Sequence, residues 1–466
     1  MYNTAARTIV RLGIPLLAGN LATYLMKAVD LAMLGHLGTE TLAAAGVATL
    51  ATGVLYTMIW PVSLGVQAIA GRRYGRQVAG GDTDDLRRRT AWVLSNGAIA
   101  GWLTAALALV ASTAAGPILR LLLTDDDLIY LALDYVRTLR WSTVLMSLGM
   151  AHRGFFSAVN RTKIVMGATI LGNGLNVLFN YALIFGNLGA PALGIQGAAL
   201  GTLLAEGFLT LMLVGYGQFS PKMRPYKLLR FAHLRIATIA DVIRIMLPPA
   251  VQNGAALSIF LTYQTLIGRL GTEYLAVTSL LFTLFRINKT LVGGFAQGAS
   301  ILVGNRLGTG DAEGARQVII AQERIALLLG VTLAVTLLSA TRGVLGLFSL
   351  EPELLPLGVR ALRFFAFFFF IEVLGYSFEI IFSHNGWGKL VLISEFTTNI
   401  VFILGLTLLG VRVFDFGIFG AWSGFAAYQV AHALILTAGF FSGKWREVEV
   451  DREEVEPPAV PLPSRK

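Results

Sequence analysis

The chain has 466 residues, of which 55% are hydrophobic and only 14% charged, with a mean hydropathy of +0.68. A soluble protein carries about 25% charged residues because its surface faces water, so a soluble globular fold is excluded and most of the outer surface must meet lipid. The absence of cysteine excludes disulfides, thiolate metal sites and cysteine catalysis, and the net charge of +10 points to basic loops beside a membrane rather than to nucleic acid.

In chain order, apolar runs between turn and charge clusters predict twelve spans, at 9–35, 44–70, 91–115, 138–159, 164–187, 196–217, 245–268, 276–303, 317–341, 361–383, 389–410 and 419–441. A membrane helix needs about 20 apolar residues, and none of the runs alternates as a barrel strand would. The run from Ile9 outlasts a signal core and lacks a cleavage region, so it reads as the first span. Lys and Arg gather on one side, in 72–89, 161–163, 222–235, 306–316 and at Lys389. The positive-inside rule makes that side cytoplasmic, placing both termini there and the protein in the inner (plasma) membrane. The predicted organisation is all-α, with an N-lobe at 1–217, a cytoplasmic linker at 218–244, a C-lobe at 245–442 and a disordered cytoplasmic tail at 443–466.

The halves repeat. Gly35-His36-Leu37-Gly38-Thr39-Glu40 returns as Gly268-Arg269-Leu270-Gly271-Thr272-Glu273, an offset of 233 residues. The same offset maps Gly65, Gly71, Arg73 and Gly75 onto Gly298, Gly304, Arg306 and Gly308. With six spans each, both halves begin on the same side. The repeat is therefore parallel about an axis along the membrane normal, as in many secondary transporters.

Ionisable residues inside spans cost a few kcal/mol on insertion and read as functional. Asp30 lies late in span 1, with Lys27 one turn earlier on the same face and able to pair. Span 8 carries Arg286 and Lys289, and span 10 carries Glu372 and Glu379. These four are open to either a substrate-binding or an ion-pair role. Glu206 and Glu395 lie in spans 6 and 11. Gln252, Asn253, Tyr263 and Gln264 of span 7 are polar groups that need partners or water in a cavity. Pro15 and Pro61 can bend spans 1 and 2 as hinges, whereas Pro248 and Pro249 suit the first turn of span 7. The Phe run at 364–370 reads as lipid-facing and packing surface rather than as an aromatic substrate cage. No GxxxxGK[ST] loop supports an ATP-driven pump, the five His show no metal spacing, and no selectivity filter suggests a channel. No cofactor or metal is expected, and the chain reads as a monomer.

Val29-Asp30 followed by Gly35-His36-Leu37-Gly38, Gly71 to Gly75, Val303 to Asp311, Arg153-Gly154, Asn176 with Asn180, and Gly194 to Ala199 together resemble the multidrug and toxic compound extrusion (MATE) family over nearly the whole chain. The resemblance implies two V-shaped lobes around a central cavity. It also implies a secondary antiporter, not an enzyme, exporting small organic compounds, usually cationic and amphipathic, against H⁺ or Na⁺. It further implies that Asp30 couples the cation, here with amide partners Asn176 and Asn180. No acid lies between Asp241 and Glu273, where the NorM-like branch has one, so the chain looks closer to the DinF-like branch. The alternative is a lipid-linked oligosaccharide flippase of the same superfamily, for which Lys27, Arg286 and Lys289 would suit an anionic headgroup.

Overall fold

Inside lipid, backbone N–H and C=O groups must bond within their own segment, and a helix does this. The computed structural model describes residues 2–229, 231–348 and 351–452, and holds no strand among them. Twelve segments follow in chain order: α1 (Tyr2–Gly35), α2 (Thr39–Ala79), α3 (Asp84–Ser112), α4 (Asp126–Leu139 continued by Ser142–Ala158), α5 (Thr162–Phe185) and α6 (Ile195–Phe219). The second half comprises α7 (Ile236–Gly268), α8 (Thr272–Gly308), α9 (Ala312–Ser339), α10 (Leu355–Ala366 continued by Phe368–Ser383), α11 (Gly388–Arg412) and α12 (Gly417–Ser442). Ten are long and apolar enough to cross a membrane singly, and α10, bent by 51° between its halves, is an eleventh. The segment α4 stands where the fourth span was expected, in pieces of 14 and 17 residues.

Two cores divide the molecule into lobes. One gathers Ile59, Val66, Leu94, Phe155 and Phe156, and the other Tyr263, Phe285, Phe365, Phe369 and Trp422. The Phe run of α10 is half packing, as expected: Phe369 stacks on Phe285 at 4.1 Å, while Phe367 is exposed.

Lipid tails are as apolar as leucine, so helices hold together in a membrane by close packing of small residues. Here three Gly-x-x-x-Gly pairs do this: Gly71/Gly75 on α2, and Gly294/Gly298 with Gly304/Gly308 on α8. A Cβ on Gly294 would lie 2.5 Å from Leu17 Cβ of α1, and one on Gly13 would lie 2.8 Å from Phe295 Cα. A Cβ on Gly75 or Gly308 would enter the backbone carbonyl of Asn305 or Arg72. The contacts obey the repeat. Gly71 faces Gly304 and Gln67 donates to Ser300 Oγ at 3.0 Å, each pair being equivalent at offset 233. Equivalent residues meet only beside the axis that relates the lobes, so the pseudo-twofold runs through this seam. Along α1 the buried residues Ile9, Leu12 and Leu16 line the seam, and beyond it Tyr24, Leu25 and Leu31 are exposed. The lobes therefore part toward the end that carries Asp30.

Three boundary expectations change. The helix α7 starts at Ile236, not 245, so Pro248 and Pro249 lie inside it rather than in its first turn. The segment 236–247 is apolar enough to pack, giving Val242, Ile245 and Met246 to the N-lobe core, and its one acid, Asp241, is neutralised by Arg244 and Arg452. The helix α2 runs on to Ala79, so Arg72 and Arg73 are buried helix residues and not loop residues. Of the tail expected to be disordered, 443–452 is ordered and docked, because its charges find buried partners; 453–466 lies outside the described residues. Among the hinge candidates, Pro61 sits at the break of α2 between Ile59 and Val62, whereas Pro15 stands in unbroken helix.

The seam makes a direct stability prediction. Gly308→Ala forces a methyl group into the Arg72 carbonyl and should cost about 1–3 kcal/mol, the usual range for overpacking. Thermal unfolding of the purified protein checks this, and an unchanged midpoint would contradict the packing described.

Candidate functional site

Polar side chains collect at two places, one in each lobe. In the N-lobe, Asp30 near the end of α1 faces the last turns of α5. Asn180 Nδ2 donates to Asp30 Oδ1 at 2.7 Å and also reaches Asn176 Oδ1 at 3.3 Å. Asn176 in turn donates to Thr202 Oγ1 of α6 at 3.2 Å. Asn176 and Asn180 are four residues apart, hence stacked on one face of α5, and both are fully buried. Gly201 leaves the space for Asn180: a Cβ there would overlap its Oδ1. One turn below, Asn173 donates to Thr23 Oγ1 of α1 at 3.2 Å. A ladder of amides thus ties the acid of α1 to α5 and α6.

Lys27 does not join it. The side chain is exposed and makes no ion pair with Asp30 among the described residues. The short aspartate is held at Asn180, beyond ion-pair distance of the exposed Lys27. The expected Lys27–Asp30 pair is therefore replaced by Asn180–Asp30.

In the C-lobe, a cavity of about 240 Å³ is lined by Tyr263, Phe282, Phe285, Arg286, Lys289, Glu372, Glu395, Asn399, Phe425 and Tyr428, among others. Lys289 Nζ lies 3.6 Å from Glu372 Oε1 and 5.1 Å from the centre of the Tyr376 ring. Arg286 is exposed at the cavity and forms no ion pair among the described residues. Only one of the expected cation–acid combinations is thus made. Deeper, Gln252 of α7 donates to Glu379 Oε1 at 2.7 Å. Glu379 Oε2 is 3.8 Å from His432 Nε2, and His432 Nδ1 is 3.4 Å from Glu395 Oε2. Tyr428 donates to Glu395 at 2.9 Å. Ligand atoms of Glu379, Glu395 and His432 all lie within 4.8 Å of one another. Next to Glu395, Asn399–Leu406 is a π-helix, with Asn399 Nδ2 donating to the Glu395 carbonyl at 2.8 Å. Such bulges often mark functional sites.

The span-7 candidates divide. Gln252 joins the acid cluster, and Tyr263 lines the cavity with its hydroxyl on the Ala421 carbonyl at 2.8 Å. Asn253 turns back to the Pro249 carbonyl, and Gln264 faces Ser279 away from the cavity. A helix turns 100° per residue, so neighbours such as 252/253 and 263/264 cannot share a face. His432 was missed, and Glu395 was noted without a partner. Both are isolated ionisable groups in apolar spans, so the rule that singled out Glu379 applies equally to them.

A family model described as MatE matches residues 15–182 and 248–408, well over half of the chain. The chain belongs to the MatE family. Within it, a "Probable multidrug resistance protein NorM" of Agrobacterium fabrum is 31% identical over 304 residues, covering 64% of this chain and 63% of that protein. The chain thus spans just under two thirds of that relative's length. A protein of the same name from Geobacillus kaustophilus is 25% identical over 363 residues and 78% of each chain. The shared NorM name points away from the DinF-like branch. A crystal structure of "MATE in the bent conformation" superposes with a TM-score of 0.81 at 21% identity, covering 95% of each chain. An "outward-facing conformation of a multidrug resistance MATE family transporter" gives 0.82 at 21% identity, covering 95% of this chain and 96% of that one. The two-lobed, twelve-helix fold is therefore that of MATE structures.

Removing one member of a buried ion pair strands the other. Lys289 is about one-third exposed, so Lys289→Met alone should cost on the order of 1–3 kcal/mol, less than a fully buried pair. Lys289→Met with Glu372→Gln should cost less than the sum of the two single changes. A double-mutant cycle on thermal stability reads the coupling, and additive losses would show that the two charges do not interact.

Proposed function

We propose that this protein is a secondary antiporter that exports small organic compounds from the cytoplasm, driven by protons entering through Asp30. The observation that carries the reading is the Asp30–Asn180–Asn176–Thr202 ladder, which couples a single carboxylate to three helices of the N-lobe. The ion preference follows from the donor set. A hard metal cation takes several oxygen ligands, whereas Asp30 meets an amide N–H. A carboxylate bonded to a neutral donor is suited to gaining and losing a proton: protonation turns the charge-assisted Asn180 bond into a weaker neutral one and loosens the hold on α1. One charge crossing 100 mV contributes about 2.3 kcal/mol, which drives export of an uncharged load; exchange of one proton for one monovalent cation moves no net charge and draws on the pH gradient alone.

The cavity of the C-lobe favours a cationic amphipathic substrate over the lipid-linked sugar alternative. Two carboxylates (Glu372 and Glu395) and two cations (Arg286 and Lys289) line it, and Lys289 is already engaged by Glu372. The aromatic rings of Phe282, Phe285 and Phe425 supply apolar and cation–π surface. An anionic pyrophosphate would find only Arg286 as a cation not already paired among the described residues. A second reading for coupling rests on Glu379, Glu395 and His432, whose convergence offers another place for an entering cation.

Asp30→Asn should abolish substrate accumulation driven by a pH gradient in proteoliposomes while substrate binding to the purified protein stays close to wild type. Accumulation at the wild-type rate would overturn the assignment. If Glu379→Gln instead abolishes accumulation while Asp30→Asn does not, coupling belongs to the C-lobe cluster.

A further inference from the structure

After α12 the chain turns back onto the protein. Gly443 adopts a left-handed conformation at φ 72°, and a short turn at Lys444–Glu447 redirects the backbone. Trp445 anchors the turn: it is 3% exposed, stacks on Phe440 and donates Nε1–H to the Phe440 carbonyl at 3.0 Å. Residues 448–452 then cross from the C-lobe to the N-lobe. Val450 sits against Gly386, in the loop between α10 and α11, and at the same time packs in the N-lobe core. Arg244 of α7 donates to the Glu449 carbonyl at 2.8 Å. Arg452 bonds Asp241 through both its backbone N–H, at 3.0 Å, and its Nε, at 2.7 Å. At the centre, Asp451 accepts from Nε and Nη2 of Arg73 at 2.8 and 2.9 Å, with the two side chains only 1% and 4% exposed.

The internal repeat explains why Arg73 takes this partner. Its equivalent at offset 233, Arg306, is matched within its own half, bonding Asp311 in the following turn at 2.7 Å. The position equivalent to Asp311 in the first half is Val78. The acid of the N-lobe turn, Asp82, is held by Gln77 and Arg87, and a carboxylate delivered from beyond α12 serves Arg73 instead. A bidentate arginine–carboxylate pair is both strong and geometrically specific. Breaking it leaves a buried charge unmatched. Arg73 lies two residues from each of Gly71 and Gly75, so the strap is fixed at the glycine seam itself.

We propose that residues 443–452 are a latch that holds this face of the two lobes shut, and that opening here requires Asp451 to withdraw from Arg73. The latch rests on the antiporter reading above for its purpose, but not for its contacts. Its effect is to bias the resting protein toward the state whose cleft opens at the Asp30 end. An inward-opening step would then have to disengage one ion pair and one buried valine along with the seam.

The test needs no transport. The chain has no cysteine of its own, so Lys163→Cys on α5 and Glu313→Cys on α9, both exposed, can carry spin labels on the two lobes near this face. Double electron–electron resonance in nanodiscs should give one short distance in the otherwise intact protein. Asp451→Asn, and separately a chain ending after Glu447, should each add a longer population. Asp451→Glu, which keeps the carboxylate, should return the distribution toward the short distance. Unchanged distributions in both disrupted variants, with their thermal unfolding confirming folded protein, would overturn the latch. A longer population without substrate movement in proteoliposomes would instead leave the latch standing and remove the transport reading.

Discussion

Two helices in lipid gain little from hiding apolar side chains, because the solvent is itself apolar; what holds them is the closeness of their backbones. In this protein that closeness is concentrated where α1 and α2 meet α8, at Gly13, Gly71, Gly75, Gly294, Gly304 and Gly308. Every other arrangement is placed by this seam. It sets the pseudo-twofold axis between Gly71 and Gly304, it closes one face, and it obliges the lobes to part on the other. Asp30, half-buried against Asn180, lies well beyond the end of the seam along α1.

The two polar sites use opposite means to keep charge in an apolar setting. In the N-lobe a single carboxylate is held by neutral amides, so its charge can be removed by one proton without leaving another charge behind. In the C-lobe, Lys289, Glu372, Glu379, Glu395 and His432 share charge across α8, α10, α11 and α12, so any change at one is felt by the rest. The first arrangement suits a switch. The second suits a binding surface whose partners are already paired when the substrate is absent, and which gains from an added cation.

Much of the fold was legible because its cause is local and repetitive. Twenty-residue apolar runs locate spans, and the Gly-x-Leu-Gly-Thr-Glu blocks reveal the repeat. The N-lobe site was legible in part: Asp30, Asn176 and Asn180 came from residue type and spacing, but the exchange of Lys27 for Asn180 as partner depends on how α5 crosses α1. The C-lobe cluster was only half legible, since α11 and α12 meet α10 through packing that no linear spacing encodes. His432 was passed over because it lies 53 residues from Glu379 in sequence. The tail was misread for a similar reason. Its charges signal disorder in isolation, and only the buried Arg73 and Asp241 give them a place.

The central claim, that this MatE-family protein moves organic cations outward at the expense of entering protons, is tested most directly by separating the two driving ions. Purified protein in proteoliposomes loaded with a fluorescent lipophilic cation would be given a pH gradient alone and then a Na⁺ gradient alone. The account predicts countermovement of the cation with the pH gradient and none with Na⁺. Movement driven by Na⁺ alone, or by neither ion, would contradict it.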